Sequence, residues 1–226
     1  MALNAKKAPK AGGKKQPTME AGTYPARLVQ IIDLGIQPQR PYKGEDKPPC
    51  HEIMFTYEFL DEFCKDDAGE DMEDKPRWIS ETFPFRNLEQ DKATSTKRYY
   101  ALDPDEVHEG DISKLIETPC MTTIVLNKGK GVNADKIYEN ISNVSTMRPK
   151  EAAKAKALVN PPKLFLLDQP DLTIFQSLPE WLQTKLKSNL EYKGSKLEKL
   201  LSGQPVASNG VIEGDIDESA EAEENW

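Results

Sequence analysis

A mainly β chain that closes into a small barrel, with helices added after it, is what this sequence of 226 residues predicts. Three observations carry that expectation. Residues 51–60 (HEIMFTYEFL) alternate with period two, the signature of a strand with one face in a core. Four or five such β-segments are joined by long, irregular connections, unlike the regular helices of a βαβ sheet. After Arg148-Pro149 the chain turns helix-forming, so the helices follow the strands instead of alternating with them.

The elements run as follows. Residues 22–34 (GTYPARLVQIIDL) put Tyr24, Ala26, Leu28, Gln30 and Ile32 in one phase and Arg27, Val29, Ile31 and Asp33 in the other. This alternation, with its β-branched content, predicts a first strand closed by Gly35. Residues 36–49 hold four prolines and a glycine and read as a loop presenting Arg40, Tyr42, Lys43 and Lys47. In residues 51–60, Ile53, Phe55, Tyr57 and Phe59 share a face, and Glu52, Met54, Thr56 and Glu58 share the other. Residues 61–74 (DEFCKDDAGEDMED) read as an acidic loop, and residues 77–85 (RWISETFPF) as the partner strand of a long-looped hairpin. Ile79, Glu81, Phe83 and Phe85 lie in one phase of that partner, with Trp78, Ser80 and Thr82 in the other.

Residues 87–102 have no regular period, and residues 111–116 (DISKLI) suggest a short helix ended by Pro119. A second hairpin follows: strands over 120–127 and 136–147 with a Lys128-Gly129-Lys130-Gly131 turn. Residues 150–158 are helix-forming in composition, and residues 160–168 are extended and apolar. Residues 171–190 are helical, with Pro179 suited to the first position of the second half. Leu178, Trp181, Leu182, Leu186 and Leu190 form its apolar stripe, expected to pack across the barrel.

The formal net charge of −8 is divided into blocks. Residues 1–16 carry five lysines and no acid, whereas residues 213–226 (EGDIDESAEAEENW) carry seven carboxylates and no base. The 61–74 segment holds eight acids against Lys65, which leaves the remainder of the body near +1. The organisation expected is a disordered basic arm over 1–20, one domain over 21–195, and a linker with an acidic tail over 196–226. Cys50, Cys64 and Cys120 are odd in number and scattered, as in a reducing compartment. No apolar run approaches membrane-spanning length, and the N-terminus lacks a signal peptide's apolar segment; cytoplasm is therefore expected, with no membrane partner.

The sequence has no Walker loop, nucleophile elbow, H-E-x-x-H or dinucleotide fingerprint. His51 and His108 stand in no triad-like or metal-like pattern, and Cys50, His51 and Cys64 lack the paired spacing of structural zinc. A non-enzyme without metal or cofactor is expected. Binding chemistry remains. Single-stranded nucleic acid is held by cations for phosphates and exposed aromatic faces for bases. Such neighbours recur here: Arg40 with Tyr42 and Lys43, Arg77 with Trp78, Arg86 after Phe85, and Lys97-Arg98 with Tyr99-Tyr100. Alternation assigns Phe55, Phe59 and Phe83 to the core and leaves Tyr57 open to either role. Trp78 is the better stacking candidate because its phase companions are polar, and Tyr42 sits in a proline-rich loop. In the tail, Asp215, Asp217, Glu218, Glu221, Glu223 and Glu224 lead to Trp226, a ring on an anionic stalk suited to a basic-rimmed pocket; a purely solubilising tail is the alternative.

Several stretches resemble bacteriophage single-stranded DNA-binding proteins. They are the opening Gly22-Thr23-Tyr24-Pro25-Ala26-Arg27-Leu28-Val29 through Asp33-Leu34-Gly35, the Tyr138-Glu139-Asn140-Ile141 strand, Leu178-Pro179-Glu180-Trp181-Leu182, and the acidic tail with its terminal aromatic. The likeness covers most of residues 20–195. It implies a single OB-fold domain that coats single strands during phage replication or recombination in the host cytoplasm. It also implies a tail that recruits replication or recombination proteins and competes with DNA. The acidic body and the 61–74 segment depart from that pattern. They keep a second expectation alongside: a phage adaptor or recombination accessory protein whose barrel is mainly a protein-interaction module.

Overall fold

In the computed structural model, residues 16–204 are described; the arm lysines and the tail residues Asp215, Asp217, Glu218, Glu221, Glu223, Glu224 and Trp226 lie outside them. Three long strands dominate: β1 (Gly22–Gln37), β2 (Cys50–Lys65) and β3 (Asp71–Pro84). Helix α1 (Thr94–Leu102) and a 3₁₀ turn at Ile112–Leu115 lead to β4 (Pro119–Lys128) and β5 (Ile137–Thr146). A short helix α2 (Pro149–Ala152), strand β6 (Lys163–Phe165) and helices α3 (Leu172–Ser177), α4 (Glu180–Lys187) and α5 (Lys196–Leu201) complete the chain. The mainly β expectation holds. The strands form one sheet in the order β3-β2-β1-β4-β5, all antiparallel neighbours, with β6 added parallel to β1.

β1 serves two neighbours along one edge, pairing with β4 through residues 22–27 and with β6 through residues 30–32. A bulge between Leu28 and Gln30 makes this possible and inverts the side-chain phase. Leu28 and Ile31, three residues apart, therefore share the inner core, while Ile32 and Leu34 face the other side. A single alternation through residues 22–34 is thus incorrect. A second irregularity falls between Asp33 and Gly35. Gly35 has φ +70°, a conformation glycine adopts without strain, and a Cβ there would press on the Leu167 side chain at 2.7 Å.

The inner core joins Leu28, Ile31, Ile53, Phe55, Tyr57, Phe59, Ile79 and Phe83 to Leu115, Ile124 and Val144, with Tyr99 and Leu102 supplied by α1. Phe85, expected in the same phase, lies beyond β3 and is exposed, its ring edge-to-face with His51. An outer core covers the opposite face of β1 and β2, where Ile32, Leu34 and Met54 meet Phe165, Phe175, Leu178, Leu182, Leu186 and Leu197. The C-terminal helices thus pack on the outer face of the sheet.

The sheet is not closed by a backbone ladder: its hydrogen-bonded path ends at β3 on one side and β5 on the other. These edges are stitched by side chains. Arg77 on β3 reaches Glu139 on β5 at 2.8 Å and donates to the Pro17 carbonyl at 2.6 Å. The Met19 amide donates to the same Glu139 carboxylate, and the Met19 side chain is buried in the inner core. Residues 16–19, expected in the arm, are therefore part of the folded unit.

Other boundaries also shift. Most of the 61–74 segment extends the β2–β3 hairpin, with Lys65 paired to Asp71 at 2.7 Å and only residues 66–70 outside the strands. Helix α5, placed in the linker, has Leu197 fully buried and is capped by Ser195. Pro179 stands at the N-cap of α4, one residue before the position expected. Leu182 and Leu186 on that helix and Leu178 just before it are buried, but Trp181 on its other side and Leu190 beyond its end are 60% and 57% exposed. Trp181→Ala should therefore shift stability by less than about 0.5 kcal/mol. Leu186→Ala should cost about 2–5 kcal/mol. Urea denaturation of the two variants checks the contrast.

Candidate nucleic-acid interface

The eleven candidate contact residues divide between interior, seam and surface. Tyr57, Arg98 and Tyr99 are interior, a correction to their reading as contacts, since a buried ring or guanidinium offers nothing to a strand. Arg98 donates through Nε and NH2 to Glu81 at 2.6 and 2.9 Å, and the Tyr57 hydroxyl donates to the same carboxylate at 3.0 Å. Burial, then the charge of Glu81, pushes the Tyr57 phenol well above its ordinary range, so it stays a donor. Tyr99 donates to Asp103 and accepts from the Gly110 amide, while Asp103 also accepts from the Val107 and His108 amides. That network fixes the connection after α1. The helix explains the split: at about 100° per residue, Ser95, Thr96, Arg98 and Tyr99 fall on one side and Lys97 and Tyr100 on the other. Lys97 and Tyr100 therefore point to solvent while Arg98 and Tyr99 point inward.

Arg77 belongs to the seam. Its guanidinium is committed to Glu139 and Pro17, which makes it a structural link between β3 and β5 in place of the phosphate contact expected.

The remaining residues are exposed. Between β1 and β2, Tyr42 and Glu45 exchange backbone hydrogen bonds across a tight turn whose central residues, Lys43 and Gly44, have φ 54° and 85°. The turn displays the Tyr42 ring, with the Lys47 and Lys43 ammonium groups 4.6 and 5.4 Å from its centroid. Arg40, Tyr42, Lys47 and Lys185 line one groove of about 420 Å³, where Glu52 holds Lys185 at 2.7 Å. Arg86 is exposed just beyond β3, its backbone amide held by Ser95 at the start of α1.

Trp78 lies on the outer face of β3, beside the exposed side chains of Ser80 and Thr82, as its polar phase implied. Its indole N–H donates to Glu58 at 2.9 Å. Glu58 is buried and also accepts from the Val159 amide at 2.7 Å and the Asn160 side chain at 2.7 Å. The ring is thus pinned by its edge.

One basic and aromatic surface is absent from the candidates above. The β4–β5 hairpin exposes Lys128, Lys130 and Lys136 with Tyr138, which is 44% exposed. The signal was present as a lysine two residues before a tyrosine, but it sits in a segment that reads first as a strand.

No protein-family model matches the chain, and no curated protein is significantly similar to it. Residue chemistry therefore carries the reading. His51 lies 2.6 Å from Asp33. The hydrogen bond to Asp33 raises the imidazole's pKa against burial; burial would raise Asp33, but the bonds from His51 and the Gly35 amide hold it below its usual range. The cavity beside this pair contains Ser113, whose hydroxyl donates to Asp111 at 2.6 Å. Among the described residues no three His, Cys, Asp or Glu side chains converge as metal ligands, and no helix is long and apolar enough to cross a membrane.

Proposed function

We propose that this chain binds single-stranded DNA without sequence preference, on a sheet that is a five-strand OB barrel. Supporting the barrel are the strand order, α1 between β3 and β4, and the approach of β3 to β5 across the Arg77–Glu139 link. OB folds take oligonucleotides on the β2–β3 face, flanked by the β1–β2 and β4–β5 loops. Here those three places carry, respectively, Trp78; Arg40, Tyr42, Lys43 and Lys47; and Lys128, Lys130, Lys136 and Tyr138. That coincidence of exposed aromatics and cations with the three ligand-binding positions is the observation that carries the reading. The resemblance extends it to coating single strands in phage replication or recombination in host cytoplasm, with the acidic tail engaging partner proteins.

The β2–β3 hairpin tip favours a second reading. Its eight acids against one lysine repel a phosphate backbone and suit a basic protein surface, as in an adaptor. Oligo-dT binding separates the two. Trp78→Ala should weaken oligo-dT binding by about 1–3 kcal/mol, the range for a lost base–aromatic stack. Circular dichroism should show an intact fold. Unchanged affinity with an intact fold would remove Trp78 from the interface, and no oligo-dT binding by the unsubstituted chain would favour the adaptor.

A further inference from the structure

We infer that Trp78 and Tyr138 form a two-ring stacking platform astride the β3–β5 seam, and that the Arg77–Glu139 pair is the positioning element that sets their separation. The inference rests on the single-strand reading above and assigns to it a site for neighbouring bases.

The alternation of the two strands is the first support. Arg77 is two residues from buried Ile79, and Glu139 is two residues from Ile141, which packs against the inner core. Both members of the pair are therefore on inward phases, and Trp78 and Tyr138, one residue away, project outward on either side of the same link. Both rings are exposed, at 36% and 44%.

The nature of the seam is the second support. Strands joined by a ladder are held at a fixed spacing of about 4.8 Å by backbone hydrogen bonds. β3 and β5 are not neighbours in the hydrogen-bonded path, so side chains hold them. The Arg77 and Glu139 side chains are only 13% and 19% exposed, and the pair is braced by the Pro17 carbonyl and the Met19 amide. Glu58 fixes the indole from the β2 side. One ring is therefore pinned, and the position of the other relative to it depends on the ion pair.

The test uses the full chain and a short oligo-dT, with affinity measured at several salt concentrations. Tyr138→Ala should weaken binding by about 5- to 100-fold, as for one lost stack, and leave the salt slope unchanged because no charge is removed. Glu139→Gln keeps both rings but loosens the link. It should weaken binding by about fivefold or more in the parent, and far less once Trp78→Ala and Tyr138→Ala are present. Arg77→Lys, which retains the charge, is read in the same two backgrounds should Glu139→Gln not fold. Should neither fold, the Trp78→Ala/Tyr138→Ala cycle decides, with coupled losses supporting one platform and independent losses overturning it. Parent-like binding by Tyr138→Ala, or an equal loss from Glu139→Gln with and without the rings, also overturns the platform while leaving single-strand binding intact. Failure of the unsubstituted chain to bind oligo-dT overturns the reading beneath it.

Discussion

Arg98→Met lowers the stability of the folded chain by about 3–5 kcal/mol, the cost of stranding one member of a buried ion pair. The Arg98 and Glu81 side chains are 5% and 13% exposed, and Glu81 also accepts from Tyr57. Removing the guanidinium leaves a carboxylate inside the sheet with one neutral donor, far short of the solvation it had in water. Replacing both partners, as in Glu81→Leu with Arg98→Met, should recover much of the loss, since no charge then remains buried. Urea denaturation midpoints for the single and double variants measure this. A single variant with parent stability and weakened DNA binding would return Arg98 to the role that its sequence cluster suggested.

Raising salt from 50 to 200 mM should weaken the proposed oligo-dT binding by roughly 10²- to 10³-fold, for about six neutralised phosphates at a single-strand slope near −0.7 each. The cations available are Arg40, Lys43 and Lys47 between β1 and β2, Lys128, Lys130 and Lys136 on the β4–β5 hairpin, and Arg86 and Lys97 near α1, all exposed. Changing the three hairpin lysines to glutamine should reduce the slope by about 2, with little change in melting temperature, because none is in a core. Titration of the parent and triple variant at four salt concentrations gives both slopes. Equal slopes would remove the hairpin from the interface.

What was legible in the sequence, and what was not, follows the range of each signal. The inner face of β2 could be read directly, because Ile53, Phe55, Tyr57 and Phe59 obey one alternation without interruption. The outward phase of Trp78 was legible for the same reason. β1 was only half legible, because a bulge at Leu28–Gln30 inverts the phase and leaves no mark in composition. Helix α1 was missed altogether: Ser95, Thr96 and Arg98 supply part of its buried face, so polar residues hide the apolar stripe. That omission placed Arg98 and Tyr99 on the surface. The acidic run read as a loop because charge density suggests solvation, yet an exposed hairpin tip satisfies the same requirement with paired backbone. Trp181 was misplaced, and the exposure of Tyr138 overlooked, for a tertiary reason. Which side of α4 meets the sheet, and which side of β5 faces water, depend on contacts from distant segments.

The measurement that bears most directly on function is a titration of the full chain with short oligo-dT at low salt, followed by tryptophan emission and electrophoretic retardation. The chain has three tryptophans, and of the two within the described residues, Trp78 and Trp181, Trp78 lies on the proposed β2–β3 binding face. Saturable quenching with a matching mobility shift is expected, with the Trp78→Ala variant losing most of the quench and part of the affinity. Unchanged emission and unshifted DNA at protein concentrations well above micromolar would contradict single-strand binding and leave the adaptor reading in its place.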